Sequence, residues 1–154
     1  MYVLEERKML GNTYIIFASD HGEMLGDHGL YIKHVAYEPS MHIPLIISGP
    51  GIEAGKESES MVELIDLHST VCDLAQIGFN KDNYDSRSIL PVLKGEKEEY
   101  RKDVISAERN YRTIRNSRYK YIKNYNDRDE LYDMKEDPHE LNNIIDTKRG
   151  QANK

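Results

Sequence analysis

Two short apolar runs with a long polar stretch between them limit what this chain can fold into. Thr13-Tyr14-Ile15-Ile16-Phe17-Ala18 is β-branched and aromatic almost without interruption, and Ile43-Pro44-Leu45-Ile46-Ile47-Ser48 repeats the texture further on. Runs of this kind suggest strands covered on both faces, the habit of parallel sheets with helices packed against them. The first run stops abruptly at Ser19-Asp20-His21-Gly22 and the second at Gly49-Pro50-Gly51. Between them, residues 22–42 are rich in Gly, Asp and His turns and show neither a helical nor a strand period. A polar connection of that length between buried strands needs a reason to be ordered. Convergence on a charged ligand is such a reason.

The remaining elements follow from periodicity. Residues 1–12 read as the tail of a helix stopped at Gly11-Asn12. A helix is predicted over 61–77, opened by a capping box between Ser60 and Glu63 and closed at Gly78. Its apolar stripe is Met61, Leu64, Ile65, Val71, Leu74 and Ala75. Residues 80–88 read as polar and turn-like, 89–93 as a helical turn ending at Gly95, and 96–103 as charged and solvated. From residue 104 the texture changes. Strands are predicted at 104–107, 111–114, 119–125 and 131–134, with a turn at 116–118. Pro138 opens a final helix whose buried face is Leu141, Ile144 and Ile145. The expected fold is α/β over 1–95, followed over 96–154 by a small antiparallel sheet packed on a C-terminal helix.

Charge and composition exclude several function classes. The 154 residues carry 21 basic and 27 acidic side chains, a net charge of −6. That argues against a nucleic-acid partner, because phosphate binding needs a basic surface. No stretch approaches the ~18 apolar residues of a membrane span. A single cysteine, Cys72, rules out an internal disulfide and any multi-cysteine zinc site. Its place on the apolar side of the 61–77 helix marks it as a small buried hydrophobe. Residues 109–123 carry Arg109, Arg112, Arg115, Arg118, Lys120 and Lys123 with no acid, whereas over 127–140 acids outnumber bases seven to two. The plainer reading has the two stretches facing each other across the sheet. The functional reading is a basic strip that draws in an anionic substrate.

Asp20 and His21 leave a strand end, the place where open α/β sheets bind ligands. A turn at Gly22 could bring a carboxylate oxygen and an imidazole nitrogen onto one hard or borderline divalent cation. The same loop offers Glu23, Asp27, His28 and Lys33. Lys33 could neutralise an anionic oxygen as a point charge, and His28 could move protons near neutral pH. Each residue alone is commonly surface decoration, but their density within one loop argues against that.

In order, these residues resemble the C-terminal signature region of the sulfatase family, within the alkaline-phosphatase-like superfamily. The resemblance rests on Ser19-Asp20-His21-Gly22-Glu23-Met24-Leu25-Gly26-Asp27-His28-Gly29-Leu30-Tyr31-Ile32-Lys33, Tyr37-Glu38, Ile43-Pro44-Leu45-Ile46-Ile47 and Gly49-Pro50-Gly51. It continues through 66–75, 87–95, Arg118-Tyr119-Lys120-Tyr121-Ile122, Glu130-Leu131-Tyr132-Asp133, Asp137-Pro138 and Glu140-Leu141-Asn142-Asn143. It implies that Asp20 and His21 are ligands of a divalent metal, usually calcium, which the chain alone would hold weakly. It also implies that Lys33 contacts the sulfate and that His28 stands near the sulfate or leaving group. The implied substrate is a sulfated small molecule or a sulfated glycan.

Departures from the pattern shape the expectation further. His42 stands where many relatives have Arg, which would make a positive contribution there pH-dependent. Cys72 is followed by Asp73-Leu74-Ala75 and so does not fit the C-x-P-x-R-like context of the formylglycine nucleophile. No residue of this chain fills that role. The expectation is therefore the C-terminal portion of a sulfatase, inactive alone and able to self-associate into a homo-oligomer through an uncovered sheet edge. The alternatives are a phosphate or phosphonate ester hydrolase of the same superfamily and a non-catalytic binding protein with a degenerate sulfatase fold.

Overall fold

A computed structural model describes residues 1–78, 80, 83–97 and 100–147. Of the polar stretches expected at 80–88 and 96–103, residues 81, 82, 98 and 99 lie outside the described residues. The chain divides into two units, one made of Met1–Ser19 and Pro44–Arg101 and the other of Asp20–Ile43 and the chain from Lys102. Residues 20–43, assigned to the 1–95 part on sequence grounds, thus group with the C-terminal sheet.

The first unit holds α1 (Tyr2–Glu6), a 3-10 turn at Leu10–Asn12, β1 (Ile15–Ala18), β2 (Leu45–Ser48), α3 (Asp66–Leu74) and α4 (Leu90–Leu93). β1 and β2 pair antiparallel, with Ile15 opposite Ser48 and Ala18 opposite Leu45. This corrects the expectation of parallel, doubly covered strands. Phe17 and Ile46 stand directly opposite each other and are 59% and 62% exposed, so one face of the pair is open. An unbroken apolar run cannot report strand direction, and here its alternate residues face out.

α3 is shorter at both ends than the predicted 61–77 helix, and its inner face is polar. Asp66, Ser69 and Thr70 are buried, whereas Leu64, Ile65 and Val71 are exposed. The helix begins at Asp66, beyond both Ser60 and Glu63 of the expected capping box. The Asp66 carboxylate accepts the Glu63 N–H at 3.0 Å and the Arg87 N–H at 2.8 Å. Arg101 spans both oxygens of that carboxylate at 3.1 and 2.5 Å and reaches Glu63 at 3.1 Å. Thr70 donates to the Asp66 carbonyl at 2.7 Å and accepts the Ile89 N–H at 3.1 Å. The helix is thus held by paired polar groups, each buried with its partner. It ends in a Schellman motif, with Ile77 N–H on the Cys72 carbonyl at 2.8 Å and Gln76 N–H on that of Asp73 at 3.2 Å. Gln76, at φ 57°, fills the left-handed position two residues before the expected Gly78. Cys72 is half-buried.

The second unit is a four-stranded antiparallel meander of β3 (Asp103–Glu108), β4 (Tyr111–Asn116), β5 (Tyr119–Asn124) and β6 (Glu130–Asp133), in that order. The 116–118 turn forms as expected: the Asn116 side-chain oxygen accepts the Arg118 and Tyr119 N–H groups at 2.9 and 2.7 Å. The core is Ala36, Tyr111, Ile122, Tyr132 and Met134, with Tyr37 packed against it. Two of these residues come from the 20–43 segment, which is therefore part of the packing of this unit. A single turn, α2 (Glu38–Met41), closes that segment.

Pro138 does not open a helix. The Asp137 carboxylate accepts the Leu141 and Asn142 N–H groups at 3.0 and 2.7 Å, and Glu140 takes φ 57°. Side-chain capture of amides and a left-handed residue are both incompatible with a continuous helix there. Helical backbone begins only at residue 145, and Leu141 is exposed while Ile145 is buried. The basic and acidic stretches do face each other: Arg118 pairs with Asp133 at 3.1 Å, Lys123 with Asp129 at 3.0 Å and Lys120 with Glu140 at 2.7 Å. Among the described residues no helix is long and apolar enough to cross a membrane.

Candidate active site

The residues singled out in the polar loop lie in the second unit, and backbone hydrogen bonds to α2 set their positions. Gly22 donates to the Ser40 carbonyl at 2.8 Å and Glu23 to the Pro39 carbonyl at 2.9 Å. A Cβ on Gly22 would lie 2.0 Å from the Pro39 oxygen, so only glycine admits this approach. Beyond it the chain folds back on itself. The Glu23 carboxylate accepts the Ile32 N–H at 2.5 Å, and Met24 donates to the Ile32 carbonyl at 3.2 Å while its side chain is buried. Leu25, Gly26, His28, Gly29 and Ile32 all have positive φ, at 47°, 104°, 54°, 70° and 74°. The two glycines take this conformation freely, whereas Leu25, His28 and Ile32 hold it at a cost that the surrounding contacts must offset.

This folding places Lys33 on His21. The Lys33 ammonium contacts His21 Nε2, and the Nδ1 of the same ring lies 2.6 Å from the Gly22 carbonyl. A carbonyl can only accept, so Nδ1 carries the proton and Nε2 presents its lone pair. The Asp20 carboxylate stands 3.6 Å from that Nε2 and is largely exposed. Asp20, His21 and Lys33 therefore share one place. The Lys33 carbonyl in turn accepts the Ser40 hydroxyl at 2.5 Å.

His28 is held differently. Its ring stacks on Tyr37, with centroids 4.1 Å apart and planes 4° off parallel. Burial and the neighbouring Glu130 carboxylate push the Tyr37 hydroxyl up to about 12, so it stays protonated and donates to Glu130 at 2.9 Å. His34 Nδ1 lies 2.6 Å from the Glu108 carboxylate, tying the loop to β3. His42 stands 3.7 Å from Glu38.

What the facing of the two charged stretches did not reveal is that one of their pairs is buried under α2 together with Glu38. Lys120 is 1% exposed and lies 3.0 Å from Glu38 and 2.7 Å from Glu140, and Arg115 reaches Glu38 at 3.2 Å. Burial pushes the Glu140 carboxyl up, against the pull of Lys120. The signal was present in strand alternation: Lys120 shares the inward register of β5 with Ile122.

Comparison with known proteins defines the class. The family model described as N-sulphoglucosamine sulphohydrolase, C-terminal, matches residues 26–153. The chain is 37% identical to a choline-sulfatase of Rhizobium meliloti, over 96% of this chain and 30% of that protein. It is 38% identical to an N-acetylglucosamine-6-O-sulfatase of Bacteroides thetaiotaomicron, over 92% of this chain and 28% of that protein. Among solved structures, one described as a complex with its substrate D-glucosamine-2-N,6-O-disulfate superposes with a TM-score of 0.87 and 34% identity, covering 99% of this chain and 34% of the other. A phosphonate monoester hydrolase from Silicibacter pomeroyi superposes with a TM-score of 0.85 and 27% identity, over 99% and 34%. The fold is that of the alkaline-phosphatase-like sulfatases, with mixed helices and sheets and a four-stranded antiparallel sheet. The chain belongs to the sulfatase family, matching its C-terminal region. It spans about 30% of the length of the curated relatives named here.

Proposed function

We propose that this chain supplies part of the active site of a sulfuric-ester hydrolase acting on a sulfated small molecule or a sulfated glycan. The observation that supports the proposal is the meeting of the Asp20 carboxylate, the His21 imidazole and the Lys33 ammonium in one place. Asp20 and His21 are the proposed ligands of a divalent cation, calcium by family resemblance. The donor set fits: a hard carboxylate and an imidazole lie side by side, and His21 Nδ1–H on the Gly22 carbonyl turns the Nε2 lone pair outward. That lone pair already takes a cationic partner, the Lys33 ammonium. Among the described residues no group of three or more His, Cys, Asp or Glu side chains could hold a metal ion, and a pair of donors would bind the cation weakly. When bound, such a cation acts as a Lewis acid toward the ester oxygens. Lys33 donates to sulfuryl oxygens and offsets the charge that grows on them. His28, its imidazole presented on the Tyr37 ring, is the proposed proton carrier near the leaving group.

The test grafts this chain in place of the matching region of the choline-sulfatase and assays sulfate and phosphonate monoesters. Sulfate-ester turnover should survive, and Lys33→Ala should lower it about 100-fold with little change in stability. Near-normal turnover by Lys33→Ala would remove that residue from the site. Phosphonate turnover exceeding sulfate turnover would favour the second reading, which the phosphonate hydrolase superposition motivates.

A further inference from the structure

We infer that Lys120, Glu140, Glu38 and Ser40 are positioning residues that hold His21 and Lys33 together through α2. The significance of that pair for catalysis rests on the function proposed above, but its placement does not.

The argument follows the contacts outward from the sheet. Lys120 is buried on the inner face of β5, and its ammonium lies between the Glu38 and Glu140 carboxylates at 3.0 and 2.7 Å. The second oxygen of Glu140 accepts the backbone N–H of Glu38 at 2.7 Å. The first residue of α2 is thus gripped by side chain and backbone together, and Arg115 adds a contact at 3.2 Å. A buried ammonium with two carboxylates tolerates one register only, because any slip strands a charge without its partner.

One turn of α2 carries that register to the site. The Pro39 carbonyl accepts the Glu23 N–H at 2.9 Å and the Ser40 carbonyl accepts the Gly22 N–H at 2.8 Å. The Ser40 hydroxyl donates to the Lys33 carbonyl at 2.5 Å. The backbone next to His21 and the backbone of Lys33 itself therefore hang from the same turn. The Gly22 carbonyl then fixes the His21 ring through Nδ1. Lys33 lies twelve positions after His21; the loop's own Glu23–Ile32 and Met24–Ile32 hydrogen bonds bring the two ends near each other, and the α2 contacts on Gly22, Glu23 and Lys33 fix their register.

The experiment uses the 154-residue chain with isotope-labelled histidine and lysine. Nuclear magnetic resonance reads the His21 ring nitrogens and the through-space contact between the His21 ring and the Lys33 side-chain methylene protons. Two variants are compared: Lys120→Met with Glu140→Gln, which leaves Glu38 paired with Arg115, and Ser40→Ala, which leaves the charge cluster intact. Both should weaken the contact several-fold and shift the His21 ring signals, while the amide signals of β4 to β6 stay in place. A purely structural role would lower the melting temperature and leave the contact at full strength in the folded molecules. Wild-type contact in Ser40→Ala would overturn the inference, as would wild-type contact in a folded double variant. Should the double variant not fold, Ser40→Ala decides alone. The readout involves neither a cation nor sulfate, so loss of the proposed catalytic roles and loss of this positioning chain would register separately.

Discussion

Gly22 illustrates how little room the site leaves at the residue scale. A methyl group there meets the Pro39 carbonyl oxygen, which is itself fixed by the Glu23 N–H. The obstacle is backbone, so it cannot rotate away as a flexible side chain would. Gly22→Ala is expected to cost about 1–3 kcal/mol, the range of over-packing. It should lower the urea midpoint without changing the slope, and an unchanged midpoint would refute the close approach. Asp20, His21 and Lys33 were legible in sequence because a strand end followed by a polar loop concentrates chemistry in few residues. The burial of the Lys120–Glu140 pair was not, because charged stretches facing each other read as a solvated surface. Only strand alternation places Lys120 inward, and Glu140 is recognisable only once the chain turns left-handed at that residue.

At the scale of elements, the sequence reported the positions of the strands and of the 90–93 helical turn well, but not the direction of β1 and β2, the extent of α3 or the absence of a helix at Pro138. The four strands of the meander announce themselves through alternation, and Asn116 marks the turn between two of them. α3 misled because apolar residues at helical spacing suggested an apolar inner face, whereas Asp66, Ser69 and Thr70 bond to groups far along the chain. The β5–β6 hairpin gives a pH-dependent prediction. Desolvation raises the Asp133 carboxyl, but the Arg118 guanidinium and the backbone amides of Lys135 and Glu136 outweigh it, so the group sits below its ordinary 3.8. A carboxyl depressed in the folded state contributes stability that is present above 3.8 and lost as pH falls through the folded value. Arg118→Met should therefore be less stable than the wild type near neutrality, and the gap should close in acid well below 3.8. Chemical denaturation at several pH values measures this, and a gap independent of pH would contradict it.

At the scale of the whole chain, two properties follow from what the described residues present. β1 and β2 form a two-stranded sheet with Phe17 and Ile46 paired on an open face. Unpaired strand edges beside exposed apolar side chains invite pairing with another chain. Sedimentation should therefore show concentration-dependent self-association that Ile46→Lys reduces, and a monomer at all concentrations would exclude it. The second property is catalytic. Sulfate-ester hydrolysis needs a nucleophile, and the single cysteine is half-buried in α3 and followed by Asp73-Leu74-Ala75. In the proposed roles Asp20 and His21 are a pair of metal donors and Lys33 an anion contact, and none of the three is an attacking group. Removing a nucleophile commonly costs many powers of ten in rate, leaving only the residue of binding and charge effects. The purified 154-residue chain, given calcium and a chromogenic aryl sulfate, should thus show no turnover above background. The informative control is Cys72→Ala. Turnover in the wild type that disappears in Cys72→Ala would make Cys72 the nucleophile after all and place the reaction within this chain. Background rates in both would agree with the proposal that Asp20, His21 and Lys33 supply part of a site rather than the whole of it.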